Sequence, residues 1–500
     1  MTAIDPRSPC IVGIGRRTWR AIDGDAPEPL DMCANVAAMS ADDSGSARLL
    51  RSIDAIHAVH CASWAYDDLP TRVARRLGIE PSHVETSMLA GTSGQRMITS
   101  AAERMLAGHC RAALIVGAEA LATKKRLLDA GTRPAWSHAS PTGPEPIIDL
   151  SAWTSETEFA HNLLAPSLTF ALVDSARRAA LGIDADANRS AAARILAACN
   201  RAAVDNRHAW LRTPRDADEI ATPTRDNRMI STPYTKYMVA IMNVDMAAAV
   251  ILTTHEMADE LGIETERRVY LRGWSFGRDS THLAERPFLD RSPAMAEASQ
   301  DALRQAGISV DDVEHLDLYS CFPSSLTFAA DALGIGPEDT RAFSVTGGLP
   351  YHGGPSSNYT THSIAEVVDR LRTSGGYGLV SGVGMHMTKH SWAVYSDRPG
   401  PVTPPDYEAV QARIDRHHSF HVRPRLEQGT PGTIAAASVT HARSGTPSSA
   451  VIIADLCDGT RAYAHATETD AIAALGEGDP ISRHIQIRPA GAGTHTFHVD

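Results

Sequence analysis

The same order of elements occurs twice along the chain, and this duplication restricts the possible folds more than any other feature of the sequence. In the first half, the glycine corner in "LAGTSGQRMI" (89–98) precedes a helical segment and the apolar strand "RAALIVGAEAL" (111–121). In the second half, "SVTGGLPYHGGPSSN" (344–358) precedes a helix and the apolar strand "YGLVSGVG" (377–384). Near-continuous apolar strands are typical of sheets buried on both faces. The two occurrences, about 260 residues apart, predict a duplicated α/β architecture, with the chance similarity of two α/β units as the open alternative.

This repeat defines the expected domain boundaries. Residues 1–121 and 236–262 form the first half, and residues 263–397 form the second half. Residues 122–235 form a polar insertion with one or two helices. Long insertions of this kind commonly cover an active site or build an interface.

The C-terminal part of the sequence has a different character. Residues 398–416 begin with four closely spaced prolines, which predict a stiff linker. Residues 417–500 contain short β-rich runs, one short helix and the hairpin signal Asp458-Gly459. We expect this tail to form a separate, small antiparallel β-barrel.

Composition excludes several classes of function. The net charge of −12 argues against general nucleic-acid binding. The seven cysteines form no C-x-x-C pair and the 22 histidines form no recognised ligand motif, so neither a disulfide framework nor a metal site is expected. No apolar stretch approaches the length of a membrane span, and the first residues lack a secretory pattern. We therefore expect a cytoplasmic protein.

Six short motifs occur in an order and spacing that resemble the thiolase superfamily. They are "GTSGQ", "VGAEAL", "NVDMAAAVIL", "LYSCF", "GGLPYHGGP" and "GVG". The chain is most similar to the sterol-carrier-type branch of this acyltransferase superfamily, to which actinobacterial thiolase-like proteins of type 1 with an extra C-terminal barrel belong. The resemblance implies two βαβ-type halves with stacked mixed sheets between helices, followed by an antiparallel barrel of the oligonucleotide-binding (OB) type.

The same resemblance implies that the thiolase catalysts have been replaced. Thiolases carry the acyl group on a cysteine at a helix N-terminus and use a second cysteine and a histidine element for proton transfer and oxyanion binding. Gly91 stands in the frame of the nucleophile, and Gly382 in that of the second cysteine. Gly354 and Tyr319 occupy the two histidine frames. Ordinary thiolysis is therefore not expected.

Other residues near these motifs are candidates for a changed chemistry. Each also has a structural interpretation, as a residue that holds a loop, caps a helix or fills the core, and the sequence leaves this choice open. Cys321 is not a candidate nucleophile, since it keeps the frame of a family cysteine without that role. The candidates are Tyr319, His352 and His386 for catalysis, and Gly91, Ser93, Gly354, Gly384 and Lys389 for substrate binding.

Glycine in place of three catalytic side chains also leads to a geometric expectation. The three replacements predict a pocket that is wider than in thiolases, with room for a bulkier ligand group or for backbone N–H donors. His352 and Tyr319 are expected to face the corner at residues 91–94 across this pocket.

The function expected from these observations is binding of an acyl-CoA or a related carbonyl compound, with the coenzyme A thioester as substrate and no other cofactor. An aldol-type carbon–carbon lyase that uses Tyr319 and His352 is one form of this hypothesis. A non-catalytic acyl-CoA-binding or scaffold protein is the alternative, so enzymatic activity itself is left open. The chain is expected to be a monomer or a homodimer.

Overall fold

The computed structural model describes residues 4–20, 22, 24–336, 339–476, 478–491 and 493–499. The first half and its continuation after the insertion contain five strands and five helices among these residues. They are β1 (Pro9–Thr18), α1 (Pro29–Asp43), β2 (Ala55–Ala58), α2 (Leu69–Leu77), β3 (His83–Thr86), α3 (Ser93–Leu106), β4 (Ala112–Ala120) and α4 (Leu121–Asp129), then β7 (Asp245–Thr254) and α9 (His255–Glu260).

The insertion contributes helices and one small hairpin. Its elements are α5 (Glu156–Ala160), α6 (Pro166–Ala180), α7 (Ala185–Asp205), α8 (Ala217–Ala221), β5 (Met229–Ser231) and β6 (Tyr234–Thr235). The second half consists of β8 (Val269–Arg278), α10 (Pro293–Ala306), β9 (His315–Asp317), α11 (Pro323–Leu333), α12 (Tyr359–Ser374), β10 (Tyr377–Gly384) and β11 (Lys389–Ser396).

The strand order confirms the duplicated α/β architecture. One nine-stranded sheet runs β3-β2-β4-β7-β1-β8-β11-β10-β9, and an antiparallel contact between β1 and β8 joins the two halves. In the first half, β2 and β4 are parallel, and β7 and β1 follow antiparallel. In the second half, β9 and β10 are parallel, and β11 and β8 follow antiparallel. The two halves therefore repeat the same topology.

Two helices lie between the halves of the sheet. Apolar side chains of α3 and α12, among them Ile98 and Ile364, pack in one buried cluster with Ile11 of β1 and Val380 of β10. Helices α1 and α2 cover the other face of the first half, and α10 and α11 that of the second. The N-termini of α3 and α12 are thereby brought close to each other at the junction of the two halves.

The tail forms a second, antiparallel sheet. Its elements are α13 (Tyr407–Ile414), β12 (Thr430–His441), β13 (Pro447–Leu456), β14 (Arg461–Ala466), α14 (Thr469–Gly476), β15 (His484–Gly491) and β16 (Thr494–Val499). The strands run in the order β14-β13-β12-β15-β16, and the β5–β6 hairpin of the insertion joins through β12. The Nδ1 atom of His495 on β16 lies 2.9 Å from the Tyr463 carbonyl oxygen on β14, so the ends of the sheet approach each other. Assignment to the OB type stays a prediction.

The tail packs directly on the insertion. The Ala437 amide donates to Ser175 Oγ on α6 at 3.0 Å, and Arg178 pairs with Asp479 at 2.5 Å. Within the expected linker, α13 packs Val410 against Ala294 of α10. The expected domain boundaries remain a prediction. No helix among the described residues combines the length and the apolarity needed to cross a membrane.

Candidate active site

Hydrogen bonds within the turn stabilise the glycine corner (residues 91–94) that precedes α3. The Ser93 hydroxyl donates to the Met88 carbonyl oxygen at 2.6 Å, and the Ser93 amide donates to the Ala90 carbonyl at 3.1 Å. The Ala90 amide donates to Ser357 Oγ at 3.1 Å, which connects the corner to the loop before α12. Ser93 therefore stabilises the turn, and the hydroxyl bonds to a carbonyl rather than to a histidine base.

The space beside Gly91 is filled. A Cβ atom placed on Gly91 would overlap with the Val383 carbonyl oxygen and with the phenol oxygen of Tyr319. The expectation of a widened pocket at this position is wrong, because residues from the second half occupy the place where a side chain would stand. Gly91 is required here by close packing, since φ at this residue is not in the left-handed region.

The other three glycines are also closely approached. A Cβ on Gly382 would lie 2.5 Å from Ser391 Oγ, and one on Gly384 would lie 3.2 Å from the Lys389 Cβ. A Cβ on Gly354 would lie 3.1 Å from Leu349 Cδ2. The Ser391 hydroxyl therefore occupies the side-chain space of Gly382, and the predicted widening is wrong there too. At Gly354 and Gly384 the contacts are only slightly closer than ordinary van der Waals distance.

Tyr319 is the residue that takes the place of the missing nucleophile. It follows β9, is 6% exposed, and donates its backbone amide to Ser381 Oγ at 2.9 Å. The Tyr319 ring meets Tyr359 edge-on, with centroids 5.5 Å apart. Burial raises the pKa of its phenol far above the usual value, so the hydroxyl stays neutral and keeps its proton. The structure thus places a neutral O–H group against the N-terminus of α3.

His352 belongs to the same buried region but does not reach Tyr319. Its ring lies 5.7 Å from the Tyr359 ring and 5.2 Å from the His362 ring. Nδ1 lies 3.2 Å from the Gly353 carbonyl oxygen, and Nε2 has no hydrogen-bond partner among the described residues. Burial lowers the pKa of His352 to about 4, which keeps the imidazole neutral. Tyr359 therefore contacts both of the residues that were expected to act together.

Tyr359 and Asp317 are members of this site that the sequence analysis missed. The Tyr359 hydroxyl lies 2.7 Å from Thr346 Oγ1 and donates to Asp317 Oδ1 at 3.3 Å. Asp317 also accepts from Ser344 Oγ and from the Thr346 amide, both at 2.9 Å, and burial raises the pKa of its carboxyl group. The available signal was the aspartate between two leucines in the predicted strand "VEHLDLYSCF".

The residues around the β10–β11 turn point to different partners. His386 Nδ1 lies 2.7 Å from Thr169 Oγ1 on α6, and burial lowers the pKa of His386 to about 4. His390 Nε2 instead lies 3.3 Å from Asp279 Oδ2. Lys389 pairs with Gly384 at the first position of the β10–β11 ladder. The turn therefore brings Lys389 to the corner but directs His386 to the insertion.

A further buried carboxylate lies in the first half. Glu119 on β4 accepts the Ala62 amide at 2.7 Å and the Ser63 amide at 2.8 Å. Burial raises the pKa of Glu119 to about 7. Cys61, whose Sγ lies 3.9 Å from the carboxylate, lines a surface cavity of about 340 Å³ together with Trp64. The sequence analysis assigned "VGAEAL" to a buried strand and a family motif and did not single out its glutamate.

Comparison with known proteins supports the interpretation of the fold. A monomeric SCP2-thiolase-like protein of type 1 from Mycobacterium smegmatis superposes over the full length of both chains, with a TM-score of 0.87 and 30% sequence identity. The chain belongs to the thiolase superfamily. The family identification and the fold expected from the sequence are thus confirmed.

More distant thiolases share only part of the molecule. The Ltp2-ChsH2(DUF35) aldolase superposes with a TM-score of 0.63 at 16% identity, covering 80% of this chain and 100% of the aldolase chain, which shows the fold alone. The 3-ketoacyl-CoA thiolases of Enterobacter sp. (strain 638) and Escherichia coli O9:H4 (strain HS) are each 32% identical over 152 residues, 27% of this chain. The match spans only a third (33%) of each of these curated thiolases. No family model matches the chain.

Proposed function

We propose that this thiolase-superfamily protein binds a coenzyme A thioester non-covalently and does not transfer the acyl group to a cysteine. The thiolase frame at the N-terminus of α3 is retained, but Gly91 carries no thiol and its side-chain space holds the Tyr319 phenol. A nucleophilic side chain at residue 91 would overlap with Val383 and Tyr319. The chemistry left to the corner is hydrogen bonding by a neutral hydroxyl group.

The observation that carries the binding proposal is a cavity lined by three arginines. Arg225 and Arg228 of the insertion and Arg443 of the tail line a space of about 530 Å³. None of the three forms an ion pair with a carboxylate of the described residues. Unpaired guanidinium groups around a cavity favour a ligand with several phosphates, as coenzyme A has.

The β5–β6 hairpin connects this cavity with the corner. Met229 of β5 lines the arginine cavity. Tyr234 of β6 stacks on Phe322, with ring centroids 5.8 Å apart, and Phe322 lies three residues beyond Tyr319. An elongated ligand that places its phosphates at the arginines would extend along this hairpin toward Tyr319.

A titration of the purified chain with acetyl-CoA, followed by intact-mass measurement, tests both parts. We expect saturable binding at one site per chain and no acetyl adduct. Arg228→Gln and Arg443→Gln should each weaken binding by about tenfold, corresponding to the loss of roughly 1.4 kcal/mol. His109→Ala, at an exposed histidine far from the cavity in sequence, is the matched control and should bind like the wild type.

Two results would contradict this proposal. A stable acyl mass on the protein would show that acyl transfer occurs at another residue. Equal affinity of the arginine variants and the control would remove the arginine cavity from the site. Binding should also weaken with rising salt, because the expected contacts are between charges at the surface.

A second candidate function is an aldol-type lyase. The neutral Tyr319 hydroxyl at the N-terminus of α3 favours it, since such a group can hold a carbonyl oxygen or relay a proton. His352 and Tyr319 both contact the Tyr359 ring, and neither nitrogen of His352 makes a hydrogen bond to Tyr319. The cytoplasm is the location we propose for either function.

A further inference from the structure

Three metal-ligating side chains meet at the outer edge of the first half of the sheet. His57 of β2 and His83 and Glu85 of β3 place one ligand atom each within 4.8 Å of the others. His57 Nδ1 lies 3.0 Å from Glu85 Oε2, and His83 Nε2 lies 3.8 Å from the same oxygen. The cluster lies outside the corner at Gly91 and outside the arginine cavity.

Strand pairing explains why these residues meet. The parallel register places His57 opposite Glu85, and His83 stands two residues before Glu85, on the same face of β3. Ser100 of α3 donates to Glu85 Oε2 at 2.9 Å, so this face of β3 lies against the helix, although it is still partly accessible to solvent. A search for local ligand spacing cannot find the cluster, because the strands are separated in sequence and only pairing brings them together.

His57 is the observation that points to a ligand. It is fully buried, and neither ring nitrogen makes a hydrogen bond of acceptable geometry to another described residue, although Nδ1 lies 3.0 Å from Glu85 Oε2. A buried imidazole without hydrogen bonds is costly. Coordination of a metal ion by one of these nitrogens would remove part of that cost.

The distances suit a tetrahedral ion. Donor atoms bound to zinc at about 2.0–2.1 Å lie roughly 3.3 Å apart. The contacts of 3.0 Å and 3.8 Å to Glu85 lie on either side of this value, so small side-chain rotations are sufficient.

One nearby group opposes a cation. Arg104 lies on α3 one turn beyond Ser100, close enough to His83 to act on it electrostatically. Its guanidinium group therefore reduces the affinity of the cluster for a metal ion without blocking it. The side chains of His83 and Glu85 are 30% and 35% exposed, which leaves a coordination position open to water.

We propose that His57, His83 and Glu85 bind a divalent transition-metal ion of the zinc type. Two imidazoles and one carboxylate form a donor set that zinc accepts, with water in the fourth position. The competing interpretation is that inward-facing polar residues only protect the exposed edge strand β3 from pairing with other chains. The two interpretations differ in whether the cluster has specific affinity for metal.

The test uses the full chain with Cys457→Ser, because this exposed thiol would bind zinc by itself. After dialysis against a chelator, Zn²⁺ binding is measured calorimetrically and Co²⁺ binding by its visible absorption. We expect one ion per chain. His83→Ala and Glu85→Gln should weaken binding at least tenfold, whereas His109→Ala, at an exposed histidine outside the cluster, should leave it unchanged.

A further variant, Arg104→Gln, should change the Zn²⁺ affinity in the opposite direction. Removal of its positive charge should tighten Zn²⁺ binding several-fold, with an unchanged melting curve as the check on folding. Equal Zn²⁺ affinity of wild type, His83→Ala and Glu85→Gln would overturn the proposal, as would the absence of a Co²⁺ absorption band in the wild type. A weak uptake that His109→Ala reduces as much as His83→Ala would show binding to scattered surface histidines and would also overturn it.

Discussion

The corner at Gly91 and the outer edge of β2 and β3 lie in the same half of the sheet, yet they are built in opposite ways. At the corner, groups from the second half fill the space around a glycine to van der Waals distance. At the edge, buried polar atoms of His57 have no hydrogen-bond partner among the described residues. The position of the thiolase nucleophile is therefore part of the packed core. At the sheet edge, by contrast, His57 keeps buried nitrogen atoms that no described residue satisfies. Position in a family frame does not by itself identify the reactive part of this molecule.

The largest effect is expected from removing the side chain that fills the corner. Tyr319→Ala should lower the free energy of unfolding by about 3–5 kcal/mol, because a buried ring is replaced by a cavity. Tyr319→Phe should cost only about 1 kcal/mol, because the ring remains and one hydroxyl group is lost. Urea unfolding of both variants provides the comparison. If Tyr319→Ala is as stable as Tyr319→Phe, the ring does not fill the corner.

The histidine beside the insertion gives the next largest effect, through pH. Burial lowers the pKa of His386 to about 4 from an ordinary value of 6.5, so the unfolded chain binds the proton more readily. Its contribution to stability is full above pH 6.5 and is lost as the pH falls toward 4, by up to about 1.4 kcal/mol per pH unit.

His386→Gln isolates this contribution, since other groups such as Glu119 respond to pH in the opposite direction. The variant should lose less stability than the wild type between pH 6.5 and 4.5, as measured by urea unfolding at several pH values. His109→Ala is the control and should follow the wild type. Parallel curves for His386→Gln and wild type would show that His386 is not held neutral by the fold.

The smallest effect is expected at the edge. In metal-free buffer, Glu85→Gln should change the free energy of unfolding by less than about 1 kcal/mol, because the carboxylate is one-third exposed. This contrasts with the large cost expected at the corner. A loss of several kcal/mol for Glu85→Gln without metal would mean that the edge cluster is as tightly built as the corner.

The sequence predicted the fold well because the fold depends on local patterns. Glycine corners, buried strands such as "YGLVSGVG" and the Asp458-Gly459 turn each have a signature within a few residues, and the structure has an element or a turn at each of these places. At the start of α10, Ser292 is the N-cap residue and accepts the Met295 amide. Short-range physics is sufficient for these features.

The site could not be predicted in the same way, because its geometry depends on distant segments. The space beside Gly91 is filled by Tyr319 and Val383, which are each more than about 200 residues away in the sequence. A local sequence pattern cannot predict that these residues pack there. The same holds for His352, whose ring contacts Tyr359 at the start of α12. Comparison with the family motifs located the corner at Gly91, but it could not identify the side chains that fill it.

The central claim is that the former nucleophile position is closed by packing, and Gly91→Ala tests it most directly. The added methyl group would overlap with the Val383 carbonyl and the Tyr319 phenol, so the variant should lose about 1–3 kcal/mol of unfolding free energy. Gly336→Ala is the matched control, since a Cβ there meets nothing within 4 Å and its φ is not in the left-handed region. The account predicts a marked loss for Gly91→Ala and little change for Gly336→Ala in parallel urea titrations. Equal stability of the two variants would show that the corner is open and would contradict the account.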